Sequence, residues 1–574
     1  MIDVRAEEHV TIRRFLLGMG ALLVACATAS AGEPQISVGT VPGLQARGAH
    51  LGAPEMRLSL QDAIALALQH NINLEVSRLG LASAEQSFLA STGIFDPLLK
   101  SDLSASYFEA PSTNELVGAQ VALQRSRQFD LSLGKLLPTG GSASLGWTNT
   151  RTKTNSTFYF LNPSYNSGLT FSLSQPLLQG FGTDVTRARI EVGRRSRDIS
   201  RVQFEEIVIS TAQAVENAYW NLVYAIDDLK VKQHSLKLAQ DLLDQTRTRV
   251  RIGTSAPIDI VQSEAAVAAR EVDIINAENA VGNAADLLKN LMGFENPQDW
   301  QSDIVPTDAL EVTTQTVDLD TSIETALKRR PELQQRHLEE QIGEINVLAA
   351  KNVLRPQLNA ALSYGYSGVG GDQLTVDPQT GQVVSTTPGG WDDALSQVIK
   401  GNYRQWSAGL TFSYPLGNTQ ARAELAQQRF GLASARQNTA LTRQLIISDV
   451  RNAVRGLDAS AKAIVAAVKS RELAERNLDA EQKKFANGMS TNFQVVKIQD
   501  DLAIAQAAEL QARVFYRQAV AVYRAAVGGL LDAMGIEISA RSEPKEPHTG
   551  WKDVGWLKFG HYIQGEMPPP AAQK

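Results

Sequence analysis

The sequence has a single cysteine, Cys26. The body of the chain therefore has no disulfide, no thiolate metal site and no cysteine nucleophile. Aromatic residues make up only 6%, a balance that suits long exposed helices better than a globular enzyme. After the N-terminal segment no run of about 18 apolar residues occurs, so no transmembrane helix is expected there. The seven histidines are scattered, without His-Glu-x-x-His spacing. Gly134-Lys135 lacks the flanking residues of a phosphate-binding loop, and Gly365-Tyr366-Ser367-Gly368 has the wrong glycine spacing for a nucleophile elbow. The adjacent carboxylates Asp227-Asp228 and Asp500-Asp501 fall in helical patterns and read as solvated faces. Neither charge sign is in strong excess: the net charge is −6, which points away from nucleic acid. An enzyme reading has little support, and no cofactor or metal is expected.

What is present begins with an export signal. Arg13 and Arg14 precede a short apolar run, Phe15 to Ala25. Two processing routes fit. Leu23-Val24-Ala25-Cys26 resembles a lipobox, which would make Cys26 the lipid attachment site and residues 1–25 the leader. Ala29-Ser30-Ala31 suits an ordinary signal peptidase, with residues 1–31 removed. The lipobox is preferred, because the chain's one cysteine stands where a lipobox needs it.

The rest of the chain, 574 residues in all and too long for one compact core, is a duplication. Leu60, Ile64, Ala67, Leu68, Leu74, Ala90, Pro97, Leu103, Ser104 and Tyr107 recur, at one constant offset, as Leu319, Ile323, Ala326, Leu327, Leu333, Ala349, Pro356, Leu362, Ser363 and Tyr366. Each copy reads as short helix, second helix, proline, then strands of period two. Leu99 to Tyr107, Phe129 to Leu133, Ala143 to Trp147, Leu169 to Leu173, Leu358 to Tyr366 and Trp406 to Tyr414 each alternate apolar with small or polar residues. Half-buried strands of a soluble sheet would do this. So would an outer-membrane barrel, and terminal aromatics such as Tyr107, Trp147, Tyr366 and Trp406 favour it. Pro138-Thr139-Gly140-Gly141 predicts a tight turn, and Asp392 to Ile399 a short helix in an exposed loop.

Pro176 and Pro415 close the strand sections. Long heptad seams follow: Val208, Ala212, Val215, Tyr219, Leu222, Ile226 and Leu229, then Ile446, Val450, Ala453, Leu457, Ser460, Ile464 and Ala467. Helices of roughly 100–115 Å are implied at ~1.5 Å per residue. Each ends in a glycine turn, at Gly253 and Gly488, and reverses.

These features together resemble the TolC family of outer-membrane efflux proteins, or outer membrane factors, as a lipoprotein member if Cys26 is acylated. The resemblance spans about residues 56–537. It rests on the duplication, the strand pairs between helices, the Pro415-Leu416-Gly417-Asn418 strand exit and the two glycine tips. It implies an α+β membrane protein: a homotrimer sharing one outer-membrane β-barrel, continued by a long periplasmic α-helical barrel, with two internal repeats per protomer. The first repeat would be residues 56–299, with strands in 97–176 and a coiled-coil hairpin in 184–294. A linker, 300–316, would lead to the second repeat, 317–537, with strands in 357–415 and a hairpin in 418–536. Residues 538–574 read as a flexible tail. The implied function is a passive exit duct of a tripartite efflux or type I secretion system. The partners implied are a periplasmic adaptor, an inner-membrane pump and outer-membrane lipid. A structural or adhesive stalk is the rival reading.

The tip residues expected to dock the adaptor are Gly253, Thr254, Asp259, Gly488, Met489 and Ser490. Gln494, Lys497 and Asp500 would stand at the channel entrance, and Asp259 is the candidate for a polar link to Gln494 or Lys497 on the other tip. The chain departs from the family in two ways. Family members often carry acidic residues where this chain has Gln494 and Lys497, and they usually contribute four strands per protomer, not six. The extra pair lies at about Arg127 to Arg151. Two arginine clusters, Arg187 to Arg201 and Arg422 to Arg443, read first as solvated helix faces. Cys26→Ser should abolish lipid labelling and shift processing to Ala31; a mature, unlipidated protein beginning at Gly32 would exclude the lipobox.

Overall fold

The structure is a computed structural model that describes residues 55–112, 120–156, 159–377, 382–536 and 538. All of them belong to one compact unit. The export segment with Cys26 and nearly all of the tail lie outside the described residues.

The first half runs β1 (Glu55–Leu58), α1 (Leu60–His70), α2 (Ile72–Thr92), β2 (Leu98–Pro111), β3 (Val121–Leu136), β4 (Ser142–Thr154), β5 (Leu161–Pro176), α3 (Thr183–Arg251) and α4 (Ile258–Leu291). The second runs β6 (Asp303–Pro306), α5 (Leu319–Arg329), α6 (Pro331–Val353), β7 (Gln357–Val376), β8 (Val383–Thr387), α7 (Trp391–Lys400), β9 (Tyr403–Ser413), α8 (Thr419–Ala486) and α9 (Asn492–Val527). The repeated helix starts have repeated causes. The Ser59 hydroxyl accepts from the Asp62 amide at 3.2 Å, and the Asp62 carboxylate accepts from the Ser59 amide, a capping box. Asp318 caps α5 by accepting from the Thr321 amide at 2.9 Å.

The strands form one antiparallel sheet in the order β2-β3-β4-β5-β7, with β9 and β8 both paired to β7. All six expected strands are present. The extra pair lies inside the sheet, between β2 and β5, and does not stand apart from it. The sequence reading missed β8. Over the half of the sheet nearer the long helices, the register puts one chemistry on each face. Leu103, Phe129, Leu131, Leu145, Trp147, Leu169, Phe171, Tyr364 and Trp406 share a face through their cross-strand partners. The opposite face carries Lys100, Asp102, Gln128, Asp130, Thr148, Thr170, Ser172 and Ser363. The outer edges of β2 and β9 have no strand partner within the described residues.

Helix α7 packs on the apolar face, near the end of the sheet farthest from the long helices. Glycines allow the approach: a Cβ at Gly368 would meet the Ala394 carbonyl oxygen at 2.1 Å, and one at Gly370 that of Gly390 at 2.1 Å. Trp391 Nε1 donates to Asn149 Oδ1 at 2.9 Å, and its ring lies 6.1 Å from that of Trp147. The Gln397 amide accepts from the Val369 N–H at 3.0 Å and donates to the Val369 carbonyl at 2.9 Å. It thereby fills the stretch of the β7 edge that β8 and β9 leave unpaired.

Below the sheet, α3 is 69 residues long and α8 is 68, each about 100 Å at ~1.5 Å per residue. The seam residues Val208, Ala212, Val215, Tyr219 and Leu222 are buried, as are Ile446, Val450, Ala453 and Leu457. The largest core cluster gathers Met56, Leu58, Ile64, Tyr219, Leu222, Leu288, Met292 and Ile304, each apolar side chain contributing about 2 kcal/mol by burial. The expected linker 300–316 is not a bare connection. It carries β6, paired in parallel with β1, and Asp308, which accepts the Tyr219 hydroxyl at 2.7 Å. Burial and the Asp308 carboxylate hold that phenol well above its usual value. Several of the clustered helix arginines are paired: Arg194 with Glu191, Arg195 and Arg197 with Asp198, Arg436 with Glu344.

Glu216, on the core-facing side of α3, is 4% exposed. Burial raises its pKa above the ordinary value, against opposing pulls from Arg524 and Arg517. A raised folded value means that its contribution to stability is complete below the unfolded pKa, about 4.3, and is lost as pH rises through the folded value. Glu216→Gln should therefore match or exceed wild-type thermal stability at neutral pH and flatten the stability profile above pH ~4. Lower stability at neutral pH would instead mean that the ionised carboxylate braces Arg524.

Candidate functional site

The two helix turns farthest from the sheet lie side by side. Each is closed by a glycine in the left-handed region, Gly253 at φ 80° and Gly488 at φ 73°, where a Cβ would strain the backbone. The hydrogen bonds are those of the Schellman motif. Thr254 N donates to the Arg249 carbonyl at 2.9 Å, and Gly253 N to that of Val250 at 3.1 Å. In the second turn Met489 N donates to the Lys484 carbonyl at 2.9 Å, and Gly488 N to that of Phe485 at 3.1 Å. Ser490 Oγ donates to Glu481 Oε1 at 2.5 Å. That bond, with Lys484 at 3.1 Å, holds the Glu481 carboxyl below the usual range. Thr491 caps α9 by accepting from the Gln494 amide at 3.3 Å.

The expected link through the Asp259 carboxylate is not what joins the tips. That carboxylate turns back to accept from the Ala256 N–H at 3.2 Å, and no partner for it on the second hairpin exists among the described residues. Gln494 and Lys497 are exposed on the first turns of α9. Asp500 forms an ion pair with Arg270 of α4, which also holds Asp273 at 3.2 Å.

The join is made by a buried polar knot. Asn492, 3% exposed, meets Thr246 and Ser263, at 0% and 1%. Asn492 Nδ2 donates to Ser263 Oγ at 2.9 Å and to the main-chain carbonyl of Asp259 at 3.1 Å. Its Oδ1 lies 3.3 Å from Thr246 Oγ1. Arg249 adds a second tie. Its guanidinium lies 4.1 Å from the Phe485 ring centroid and donates to the Phe485 carbonyl at 2.6 Å and that of Ala486 at 3.0 Å. It thus satisfies carbonyls that the end of α8 leaves free. Leu242, Phe485 and Val495 pack just behind. Outside this joint, Ile252, Ile258, Met489 and Phe493 are large apolar side chains exposed at the tips. Asn492 and Arg249 were not singled out from the sequence. The only local cue for Asn492 is its place just after Thr491 at a helix start.

Comparison with known proteins agrees with this architecture. The family model described as outer membrane efflux protein matches residues 63–294 and 322–529, well over half of the chain. The chain belongs to that family and is an outer-membrane protein. It is 25% identical over 299 residues to the outer membrane protein TolC of Escherichia coli K12. That alignment takes in 51% of this chain and 55% of the relative, so the chain spans about half the length of that relative. Among solved structures it resembles the outer-membrane channel OprN, with a TM-score of 0.60 at 16% identity, covering 88% of this chain and 99% of that one. It also resembles the Campylobacter jejuni CmeC outer membrane channel, with a TM-score of 0.60 at 14% identity, covering 84% and 87%. The fold is that of these outer-membrane channels.

Asn492→Ala should loosen the joint and cost about 1–3 kcal/mol, the usual penalty for unpairing buried polar groups. Asp259→Asn leaves the main-chain carbonyl in place and should cost at most ~1 kcal/mol. Hydrogen exchange at residues 252–257 and 487–491 reads the difference. Equal protection loss in both variants would return the link to the Asp259 carboxylate.

Proposed function

We propose that three copies of this chain form a passive outer-membrane exit duct, the terminal component of a tripartite efflux or type I secretion system. The observation that carries this reading is the two-faced sheet set above paired long helices. One face is apolar and fits lipid; the other is polar and fits a water-filled lumen. A protomer alone leaves the edges of β2 and β9 open, which hydrocarbon does not tolerate. Along the sheet the long strands alternate in direction, so β9 of one copy meets β2 of the next antiparallel. Closure by identical copies therefore pairs both open edges of the long strands, β2 and β9.

The exposed Ile252, Ile258, Met489 and Phe493 make the tips a fitting dock for a periplasmic adaptor, coupled to an inner-membrane pump that supplies the energy. Gly253, Thr254, Gly488 and Ser490 hold those side chains in place. Gln494 and Lys497, exposed beside them, are placed to line the entrance, while Asp500 is engaged by Arg270. A structural stalk would need the exposed edges and tips but has no use for a polar inner face.

The purified protein should run as three copies in mild detergent and give stepwise single-channel currents in planar bilayers. Replacing Met489 and Phe493 by Ser should leave those currents intact and weaken adaptor cross-linking several-fold. A trimer that inserts and never conducts would favour the stalk.

A further inference from the structure

The pair of strands that sets this sheet apart, β3 and β4, carries a block of cations with no carboxylate partner among the described residues. Arg125 stands directly across from Lys153, and Arg127 directly across from Arg151. All four side chains lie on the apolar face, in register with Tyr107, Ala105 and Tyr165. Neighbours along a strand face are ~6.8 Å apart and cross-strand pairs ~5 Å, so the four charges occupy one small square. Like charges directly opposite each other destabilise a sheet. Among the described residues their contacts are aromatic: Arg125 sits 5.5 Å from the Tyr107 ring centroid, and Arg151 donates from Nε to the Tyr165 hydroxyl at 3.1 Å. Glu109, the next residue on that face of β2 after Tyr107, accepts the Tyr107 hydroxyl at 2.7 Å and forms no ion pair with the block among the described residues. Several of the helix arginines behave differently, Arg195, Arg197 and Arg436 being paired with acids.

The position of the block says what it faces. On the same strands and the same face, toward the long helices, come Phe129, Leu131, Leu133, Leu145 and Trp147. The cations thus cap the loop end of the apolar band, at the level where an aromatic belt meets lipid headgroups. A ligand that fits both parts must be an amphiphile, with apolar chains along the band and clustered negative charge at the top. Arginine pairs suit phosphate oxygens in two-point contact.

We propose that Arg125, Arg127, Arg151 and Lys153 form a site on the outside of the barrel for the phosphate groups of an anionic lipid in the outer leaflet. The β3–β4 hairpin therefore adds a lipid contact as well as strands.

The test uses the full-length protein in neutral detergent. Lipid retention is read by native mass spectrometry and thermal unfolding is followed in parallel. The probes are a bisphosphorylated glycolipid, its dephosphorylated form, and inorganic phosphate. The bisphosphorylated lipid should be retained and should raise the unfolding midpoint. The Arg127→Gln, Arg151→Gln double variant should bind it roughly twenty-five-fold more weakly, about fivefold per cation removed. Without lipid its midpoint should equal or exceed that of the wild type, because a repulsive pair is gone. Arg127→Lys with Arg151→Lys should keep most of the retention. Equal retention of the dephosphorylated lipid, or displacement of the lipid by inorganic phosphate, would overturn the proposal. So would a double variant that is less stable without lipid yet binds it as before, since that would make these arginines braces of the sheet.

Discussion

Inside a bilayer no water is available to hydrogen-bond a main-chain amide, so a strand section must find all its partners in protein. The rest of this chain follows from that constraint. Within the protomer, β2 to β7 pair continuously, and Gln397 takes the place of a missing strand at Val369. Among the described residues the edges left open are those of β2, β9 and the five-residue β8, and the two long ones, β2 and β9, are those that would meet other copies in the proposed trimer. Because the single sheet takes strands from both copies of the repeat, neither half of the duplication is a self-sufficient domain. Away from the patch that α7 covers, the apolar face needs no protein cover, which explains why Leu103, Trp406, Leu410 and Phe412 are exposed in the protomer.

The change from strand to helix is handled by the same few residue types in both halves. Pro176 ends β5, and Gly180 and Gly182 then adopt positive φ before α3 begins. A Cβ on Gly140, in the β3–β4 turn, would lie 2.1 Å from the Gly180 carbonyl oxygen, so the turn and the strand exit fit only without side chains. In the second half Gly417 and Asn418 take positive φ before α8, and Asn418 Nδ2 donates to the Leu354 carbonyl at 3.3 Å. Asn352 crosses between halves to accept from the Gly180 amide at 2.7 Å. These bonds set where each long helix leaves the sheet.

How much of this was legible in the sequence depended on range. Period-two alternation is local, and it located all six long strands. Heptad spacing is local, and it located the seam from Val208 to Leu222. Glycine at a helix end is local, and it located both tips. The parallel β1–β6 pair joins residues far apart in sequence through strands of only four residues, and no local pattern betrays it. Strand β8 sits in a Thr- and Gln-rich stretch that reads as loop, and it forms because β7 extends far enough to offer an edge. At the tips the charged residue drew attention, whereas the buried tie uses the neutral Asn492, Thr246 and Ser263. Polar residues in a heptad pattern normally face water. Only the meeting of α3, α4 and α9 at one point turns these three inward.

The inserted β3–β4 hairpin changes the balance of the fold. With six long strands in place of the usual four, the proposed ring of three copies would be about half as wide again, since barrel diameter grows roughly linearly with strand number. A larger ring exposes more apolar circumference to lipid and encloses a wider lumen for the same helical section below. The hairpin answers both consequences with its own side chains. Its lumen face is lined by Gln128, Asp130, Ser144, Thr148 and Thr150, small or polar residues that keep the wider bore wet. Its other face sets Leu131, Leu145 and Trp147 below Arg125, Arg127, Arg151 and Lys153, so in the proposed barrel the added circumference would meet both the acyl layer and the headgroup layer. A strand pair of this composition could not be tucked beneath other protein without burying unpaired cations at a cost of several kcal/mol each. The same charges that oppose one another across β3 and β4 thus fix the hairpin's place on the rim of the barrel.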